Sequence, residues 1–448
     1  MSFNWINTTV GEYSPFIYGK AIRKVDQLSE GTPVYGSNGV YTFSEEPLSE
    51  QHAVIIGRKG SVGKVHLSTK PCWISDTAFY TTKDTIEEAY FVYYLLSSLG
   101  LEDMNTDAAV PGLNRNNAHR LEIKIPSTVE ERVALVEPLI KLDKKIELNR
   151  QTNQTLEEIA QAIFKSWFVD FEPTRAKIIA QDMGADTATQ ELAAQATICG
   201  ALTLEQLADI EQNLTTTLQE AIHTKLSHNS PTPINAEQLA TTAALFPNAL
   251  VESELGEIPQ GWDCVRLDQY IELAYGKALK KADRVEGPYP VYGSGGITGS
   301  HKDFLVPGPS IIIGRKGTVG SIYWEDQSFY PIDTTFYVVV KNGCTLSFAY
   351  YLLQTLGLDG MNSDAAVPGL NRNNVYRLEV PCYPIEIIER FTKLINSISS
   401  KIAACKTENL YLTELRDTLL PKLLSGDLQV NDGSHIAWHK QNKSLKIF

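Results

Sequence analysis

The sequence lacks several features that would define or exclude whole classes of protein. Its six cysteines are scattered, and no two of them form a CxxC pair. This usage argues against a disulfide framework and a structural zinc site, and it predicts a reducing, cytoplasmic location. No apolar run reaches the ~18 residues that a membrane-spanning helix needs, and no basic segment followed by an apolar one begins the chain.

The chain also lacks an excess of positive charge. Lys and Arg number 40 against 53 Asp and Glu, which gives a formal net charge of −13 at pH 7. This balance argues against a protein that coats nucleic acid by charge alone. It does not exclude sequence-specific DNA recognition, because base contacts carry the specificity and a partner can supply phosphate contacts.

One stretch of about a hundred residues occurs twice. Residues 18–122 align with 275–379 at a constant offset of 257 positions, without a gap and with 49 identities in 105 positions. This period is too long for a solenoid, so each copy is expected to be a separate domain. Short strand patterns and one helical pattern in each copy predict a mixed α/β (α+β) fold. Two similar domains on one chain suggest a target with two similar halves.

A long helical pattern follows each copy. Apolar residues at spacings of three and four run from Leu135 to Trp167 and from Phe391 to Leu423, with asparagines at matching seam positions, Asn153 and Asn409. Ser127 and Glu130 are spaced as a capping box at the start of the first helix. We predict two long antiparallel coiled-coil helices that relate the domains by pseudo-twofold symmetry. Two amphipathic helices on separate cores are the alternative.

The stretch between the two copies differs in composition. It is rich in Ala, Gln and Thr, lacks Trp and Tyr, suggests one or two helices around 204–226 and has a break at 227–233. We therefore predict six segments along the chain: a first domain at 1–126, a long helix at 127–172, a helical connector at 173–255, a second domain at 256–384, a second long helix at 385–426 and a tail at 427–448.

Each copy contains a glycine-rich turn after a predicted strand. GRKGSVG at 57–63 and GRKGTVG at 314–320 present cations and a hydroxyl between glycines, which lets a ligand approach the backbone. An arginine there suits guanine or a phosphate, and the following lysine suits a phosphate. A tight hairpin with solvated charges is the structural alternative. The candidate ligand contacts are Arg58, Lys59, Ser61, Arg315, Lys316 and Thr318.

Three further motifs recur in both copies. PGLNRNN, at 111–117 and 368–374, offers amides and a guanidinium that pair well with adenine and guanine, although Asn also caps turns and helices. PVYGSNG and PVYGSGG carry a tyrosine that contacts a base or anchors the loop in the core. YGKAIRK and YGKALKK carry cations that suit phosphates or a solvated surface. The candidates from these motifs are Asn114, Arg115, Asn116, Asn371, Arg372, Asn373, Tyr35, Ser37, Tyr292, Ser294, Lys20, Lys24, Lys277 and Lys281.

Motifs for catalysis are missing from both copies. We find no [DN]PP[FY] adenine-methyltransferase signature, no GxGxxG after a strand and no HExxH. Asp76 and its counterpart Asp333 have no second acid or lysine at nuclease spacing, and the histidines at 66 and 119 become tyrosines in the second copy. We therefore predict a binding protein with no catalytic residue and no metal site of its own.

The order and spacing of these motifs resemble the specificity subunit of type I restriction–modification enzymes. IIGRKGSVG followed by DTAF resembles that family's target-recognition domains, and LEIKIP with the helix up to IFKSWFVDFEPTRAK resembles its junction and central helix. ELGEIPQGW at 254–262 is similar to the entry of the second recognition domain. LRDTLLPKLLSGDL at 415–428 is similar to the family's C-terminal end.

The resemblance implies that each domain recognises one half of a bipartite double-stranded DNA site and that the paired helices set the gap. It implies two methyltransferase subunits that use S-adenosylmethionine to methylate adenine N6, and restriction subunits that use ATP and Mg²⁺, with no cofactor bound by this chain. Because the two copies share their candidate loops, we expect a near-palindromic site. Four differences leave room for one changed base: Asn38/Gly295, Lys64/Ser321, His66/Tyr323 and His119/Tyr376.

Two other classes of function remain open on the sequence alone. A stand-alone DNA-binding regulator would bind its site without a partner, whereas a chain with a net charge of −13 is expected to bind poorly until methyltransferase subunits join it. An autonomous nuclease or nucleotide hydrolase would need an acid or base shared by both copies and would be active as a purified chain.

Overall fold

The computed structural model describes residues 3–104, 112–227, 235–341, 343–361, 369–431, 435–438 and 444–446. The first residue of PGLNRNN in each copy and most of the predicted break at 227–233 lie outside these residues. The chain forms two compact units, Met1–Gln151 with Cys405–Phe448, and Thr152–Ala404. Each unit contains one copy of the repeated domain together with part of each long helix.

In the part of the first domain that the structure describes, nine strands combine with three α-helices. Its strands are β1 (Trp5–Thr9), β2 (Ile17–Tyr18), β3 (Thr32–Gly36), β4 (Gly39–Ser44), β5 (His52–Gly57), β6 (Val65–Ser68), β7 (Trp73–Ile74), β8 (Ala78–Lys83) and β9 (Glu122–Pro126). Its helices are α1 (Val10–Tyr13), α2 (Ile86–Ser97) and α3 (Arg115–His119). The strands form sheets in the orders β2-β8-β5-β6, β4-β3-β7 and β1-β9.

Burial explains why the central strand and its helix form. In β5 the residues from Ala53 to Gly57 are all buried, as expected for an apolar strand covered on both faces. Thr85 caps α2 by accepting a hydrogen bond from the backbone N–H of Glu88 at 3.3 Å. The apolar face of α2 then packs into the same core as β5.

The first long helix, α4 (Val129–Phe168), spans 40 residues and is continuous through Pro138. Its capping box lies one residue later than predicted. The backbone N–H of Glu131 donates to Thr128 Oγ1 at 3.2 Å, and the Thr128 N–H donates to the Glu131 carboxylate at 3.4 Å. Ser127 instead donates its hydroxyl to Glu131, at 3.2 Å.

Five helices lie between the two domains, where the pattern predicted one or two around 204–226. They are α5 (Glu172–Asp182), α6 (Thr187–Ile198), α7 (Leu204–Ala208), α8 (Leu214–Ser227) and α9 (Ala236–Ala243). Their alanines and leucines join the core of the second unit. Lys177, whose side chain is 3% exposed, pairs with Glu191 at 2.6 Å and donates to the Phe246 carbonyl at 2.7 Å. The connector is therefore a packed helical layer of this unit.

The second domain repeats the sheet orders of the first, as β13-β19-β16-β17, β15-β14-β18 and β12-β20. Its elements are β10 (Leu250–Ser253), β11 (Gly256–Pro259), β12 (Cys264–Arg266), β13 (Ile271–Tyr275), β14 (Tyr289–Gly293), β15 (Gly296–His301), β16 (Ser310–Gly314), β17 (Ile322–Glu325), β18 (Tyr330–Pro331), β19 (Thr335–Val340), α10 (Leu346–Thr355), α11 (Arg372–Tyr376) and β20 (Glu379–Pro381). The predicted mixed α/β fold with a duplicated domain is confirmed.

A second 40-residue helix, α12 (Ile385–Leu424), follows the second domain. Three short strands, β21 (Leu428–Asn431), β22 (His435–Trp438) and β23 (Ser444–Lys446), come after it and pair antiparallel. Within the second unit, Phe164 and Trp167 of α4 contact the ring of Phe391 on α12 at 5.5 and 6.2 Å between centroids. None of the described helices is long and apolar enough to span a bilayer.

Polar contacts fix the pairing of the two long helices within the first unit. Asp143 accepts from Arg416 at 2.8 Å, whereas Asn149, six residues further along α4, contacts Asn409, seven residues earlier on α12. The two segments are therefore antiparallel. Asn149 is 3% exposed, and its amide donates to Asn409 Oδ1 at 2.9 Å and to Glu408 at 2.7 Å. Such a buried amide pair fixes helix register.

We predict that this amide pair contributes stability only as a pair. Asn149→Leu removes the donor to Asn409 and should lower the thermal midpoint of the first unit by roughly 2–6 °C, because an unsatisfied buried polar group costs ~1–2 kcal/mol. Asn149→Leu combined with Asn409→Leu should return the midpoint to the wild-type value or above. Calorimetry of the full chain measures both, with Lys144→Leu on the exposed face of α4 as the control. A double variant less stable than the single one would contradict this account.

Candidate nucleic-acid interface

In the first domain the turn after β5 holds its shape through backbone contacts. The N–H groups of Arg58 and Lys59 both donate to the Thr77 carbonyl, at 2.9 and 3.0 Å. A Cβ at Gly57 would lie 1.9 Å from the Ser61 carbonyl oxygen, and Gly63 has a φ of +72° against the backbone of Leu101, so both positions require glycine. The turn therefore presents Arg58 and the exposed Lys59 from a fixed backbone.

The same turn joins the PGLNRNN motif, which lies more than fifty residues further along the chain. The Leu113 N–H donates to the Arg58 carbonyl at 2.9 Å, and Lys59 pairs with Gly112 in an isolated bridge. In the second domain Leu370 N–H donates to the Arg315 carbonyl at 2.8 Å, and Lys316 pairs with Gly369. The two predicted motifs thus form one surface in each unit.

Two arginines, one from each motif, approach the same tyrosine ring. In the first domain the Cζ atoms of Arg58 and Arg115 lie 5.0 and 4.8 Å from the centroid of the Tyr18 ring. The second domain repeats the arrangement around Tyr275, with Arg315 and Arg372 both at 4.9 Å. We call each set of three residues the Arg–Tyr–Arg stack. Guanidinium–aromatic contacts at these distances are attractive and orient the planar fork.

Neighbouring groups hold each stack in place. Tyr18 is 46% exposed, and the inner edge of its ring meets the buried Phe79 at 5.0 Å between centroids. The Arg58 guanidinium donates to the Asp76 carbonyl at 3.2 Å, as Arg315 does to Asp333 at 3.1 Å. The recurrent aspartate therefore contributes its backbone to the site, and two guanidinium groups are held at a partly exposed surface.

Two of the predicted base contacts have a structural role. The Asn114 side-chain oxygen accepts from the backbone N–H groups of Asn116 and Asn117, at 2.9 and 3.2 Å, and so caps α3. Asn371 caps α11 in the same way, at 2.9 and 3.4 Å. The sequence left open whether these asparagines cap a turn or contact bases; their side-chain oxygens serve as caps, and a base contact from Asn114 or Asn371 stays a prediction. Asn116 and Asn373 remain exposed candidates.

The tyrosines of the PVYGS loops pack as anchors, which is one of the two roles that the sequence left open, and a DNA contact from them stays a prediction. Tyr292 is 5% exposed, and its hydroxyl donates to Glu325 at 2.8 Å. Burial raises its pKa above the ordinary tyrosine value, with the neighbouring Glu325 adding to the effect. Tyr35 is half-buried and packs on a small cluster around Ile55 and Cys72, and burial likewise raises its pKa.

The serines of the same loops lie against the glycine-rich turn. A Cβ at Gly60 would lie 3.3 Å from Ser37 Oγ, and one at Gly317 would lie 3.1 Å from Ser294 Oγ. Ser61 donates to Asn38 at 3.4 Å, and its counterpart Thr318 is exposed. These four residues border the arginine surface in their own domains.

The predicted phosphate contacts are exposed lysines in the segment that follows each stack tyrosine. The side chains of Lys20, Lys24, Lys277 and Lys281 are exposed. The backbone N–H groups of Lys20 and Lys277, two residues after Tyr18 and Tyr275, donate to the Ile74 and Pro331 carbonyls, at 2.9 and 3.0 Å. The phosphate role of the four lysines stays a prediction.

His119 in the first copy and Tyr376 in the second make the same structural contact. His119 Nε2 accepts from the Phe16 N–H at 2.8 Å, and the Tyr376 hydroxyl accepts from the equivalent N–H, of Leu273, at 2.8 Å. Burial, with a contribution from Arg115, lowers the pKa of His119. A lower pKa favours the neutral ring, whose unprotonated nitrogen can accept the hydrogen bond from the Phe16 N–H. These two side chains make the same contact with the backbone. The change of residue is therefore explained by the fold and does not indicate that the two domains bind different bases.

The pair at 66 and 323 behaves in the same way. His66 Nε2 lies 3.4 Å from the Ser37 carbonyl oxygen, and the Tyr323 hydroxyl donates to the equivalent Ser294 carbonyl at 3.2 Å. Burial lowers the pKa of His66. Of the four sequence differences that left room for one changed base, two therefore maintain backbone contacts within the fold.

Sequence reasoning missed the tyrosine of each stack. Tyr18 and Tyr275 begin YGKAIRK and YGKALKK, two segments in which the lysines and the arginine are the more obvious candidates for DNA contact. An aromatic residue that recurs next to glycine and lysine in an exposed segment was the available signal. The stack itself needs three segments to meet, which only the fold shows.

Comparisons with known proteins identify the family of the chain. The family of type I restriction modification DNA specificity domains matches residues 4–158 and 259–406, and the chain belongs to it. A type I restriction enzyme HindI specificity subunit of Haemophilus influenzae is 30% identical over 347 residues, or 71% of each chain. The MjaIX specificity subunit of Methanocaldococcus jannaschii is 21% identical over 414 residues, covering 89% of this chain and 84% of the relative.

A solved structure supports the fold. The crystal structure of a type I restriction–modification S subunit from M. genitalium aligns with a TM-score of 0.50 and 19% identity, covering 94% of this chain and 96% of that one. The chain is a DNA-recognition subunit without catalytic activity of its own. Members of its family assemble with methyltransferase and restriction subunits and DNA.

We predict that the aromatic ring of Tyr18 strengthens DNA binding by orienting its two arginines. Tyr18→Leu should weaken affinity roughly 5- to 30-fold, since each exposed cation–π contact contributes ~0.5–1 kcal/mol. Tyr18→Phe should bind nearly as tightly as the wild type. Fluorescence anisotropy with the recognised duplex, in the presence of the methyltransferase subunits, compares them. Unchanged affinity in Tyr18→Leu would show that the stack has no part in binding.

Proposed function

We propose that the chain recognises a bipartite, near-palindromic DNA site, with one Arg–Tyr–Arg stack and its neighbouring loops contacting each half. The supporting observation is the repetition of the stack, with all four Cζ-to-centroid distances between 4.8 and 5.0 Å. Equivalent side chains held in equivalent geometry favour equivalent bases. Two half-sites of similar sequence in inverted orientation follow from such a duplication.

The chemistry of the surface suits the major groove. A fixed guanidinium can donate two hydrogen bonds to guanine O6 and N7, which is a role for Arg58, Arg115 and their counterparts. The exposed amides of Asn116 and Asn373 suit adenine. Lys59, Lys316 and the lysines that follow each stack tyrosine suit phosphates, which position the protein without reading sequence.

The remaining surfaces suit partner subunits. Leu410 and Tyr411 on α12 are 72% and 68% exposed, and Leu148 on α4 of the same unit is 56% exposed. Large apolar side chains at that exposure favour coverage by another protein. We propose that two methyltransferase subunits dock on the long helices and methylate adenine N6 with S-adenosylmethionine. Restriction subunits that use ATP and Mg²⁺ then complete the enzyme, and this chain holds no cofactor.

A stand-alone DNA-binding regulator is the main alternative. The net charge of −13 weighs against it, because phosphate contacts dominate unassisted DNA affinity. The two proposals differ in one measurement: the purified chain should bind its site weakly at physiological salt and gain affinity when methyltransferase subunits are added. An autonomous nuclease would instead cleave DNA as the chain alone.

We predict that the two stacks act on separate half-sites. Arg58→Ala with Arg115→Ala should relax the first half of the methylated motif and leave the second half unchanged, because the second unit keeps its own stack. Arg315→Ala with Arg372→Ala should do the reverse. Sequencing of N6-methyladenine in cells that express each variant with the partner methyltransferase reports both halves at once.

An exposed arginine outside the stack provides the control for this experiment. Arg120 is exposed and directly follows α3, the short helix that begins with Arg115. Arg120→Ala should leave the methylated motif as in the wild type. If either double variant relaxes both halves equally, the assignment of one half-site to each domain is wrong.

A further inference from the structure

The two recognition surfaces differ at an exposed pair of side chains beside the glycine-rich turn. Of the four differences singled out from the sequence, those at His66 and His119 maintain backbone contacts that the second copy also makes. The other two, Asn38 and Lys64, lie in adjacent loops of the first domain and are both exposed. They are therefore the two of these four that a ligand can meet.

In the first domain these two side chains bind each other. Lys64 Nζ donates to Asn38 Oδ1 at 2.8 Å, and Ser61 Oγ lies 3.4 Å from the same oxygen. An ammonium group can only donate, so the amide oxygen of Asn38 faces it and the amide NH₂ is left for another partner. The pair thus offers hydrogen-bond donors, from both Asn38 and Lys64, beside the turn that carries Arg58.

The second domain offers no such donors at the equivalent positions. Gly295 has no side chain, and the Ser321 hydroxyl turns inward to the Ser294 and Thr318 carbonyls, at 2.5 and 3.1 Å. The backbone around both pairs is the same. Gly39 and Gly296 close their hairpins with φ of +104° and +101°, against Gly36 and Gly293. The chemical difference therefore lies in the side chains alone.

We infer that the Asn38–Lys64 pair makes the first half-site one base pair more specific than the second. This inference rests on the proposed bipartite recognition. A donor-only pair suits an acceptor-rich base edge, above all guanine O6 and N7 in the major groove. At the symmetry-equivalent position of the second half-site any base is accepted. The near-palindrome therefore departs from symmetry at one position.

A base contact fits this pair better than a phosphate contact. Lysines that contact phosphate act as point charges and need no second side chain to aim them. Lys64 is instead hydrogen-bonded to Asn38, whose amide oxygen also accepts from Ser61, and this contact orients the ammonium group at the edge of the arginine turn. Fixed donors of this kind are what base recognition needs.

The exchange of residues between the copies tests the inference. Asn38→Gly with Lys64→Ser gives the first domain the residues that the second domain carries at the equivalent positions, Gly295 and Ser321. We expect the methylated motif to lose its preference at one base pair of the first half and become symmetric. The wild type should methylate a plasmid that bears the original base about 10- to 100-fold more than a plasmid that bears a substituted base at that position. The variant should methylate the two plasmids about equally.

The reciprocal exchange should create the preference. Gly295→Asn places a Cβ whose nearest neighbour is Thr318 Oγ1 at 3.6 Å, an ordinary contact, so the loop accommodates it. Together with Ser321→Lys it should add one specified base pair to the second half-site. Lys70 is an exposed lysine of the first domain outside the candidate DNA-binding loops. Lys70→Ser is therefore the control and should leave the methylated motif unchanged.

Each outcome discriminates between the claims. A wild-type motif with two identical half-sites would overturn the inference and leave bipartite recognition standing. So would an Asn38→Gly/Lys64→Ser variant with lower methylation of every site and an unchanged motif, which is the result of losing a phosphate contact. If the wild-type chain directs no sequence-specific methylation, the proposed function itself fails.

Discussion

The stacking of two guanidinium groups against one tyrosine ring is the interaction on which the rest of each recognition surface depends. It draws together the strand β2, the turn after β5 and the N-terminus of α3, three segments that are separate in the chain. Backbone hydrogen bonds, such as that from the Leu113 N–H to the Arg58 carbonyl, also join these segments. Tyr18 and Tyr275 thereby convert flexible arginines into oriented donors, which is what base recognition requires.

The duplication is closer in geometry than in sequence. His119 and Tyr376 differ in chemistry, yet both accept a hydrogen bond from the same backbone N–H. Buried polar groups must find partners, so the fold keeps the contact while the residue changes. Around the stacks, by contrast, the side chains themselves are kept. The two copies thus make the same backbone contacts with different residues and build their stacks from identical ones.

Much of this organisation could be predicted from the sequence, and the limits have physical causes. Repetition and heptads predicted two domains and two long helices, because periodicity follows directly from packing. The connector's five described helices depend on tertiary contacts such as those of Lys177. The cap lies at Thr128 and not at the predicted Ser127, because two neighbouring hydroxyl residues are each followed three residues later by a glutamate. The roles of Asn114 and Tyr292 stayed open in the sequence because a recurrent polar residue serves a turn or an anchor as readily as a ligand. Only the fold separates these roles.

The most direct test of the central claim is sequencing of genomic N6-methyladenine in cells that carry or lack this gene beside an active partner methyltransferase. The account predicts a bipartite motif with two similar, inverted halves that disappears with the gene. An unchanged methylome in the strain without it would contradict the account and favour a DNA-binding protein that acts alone.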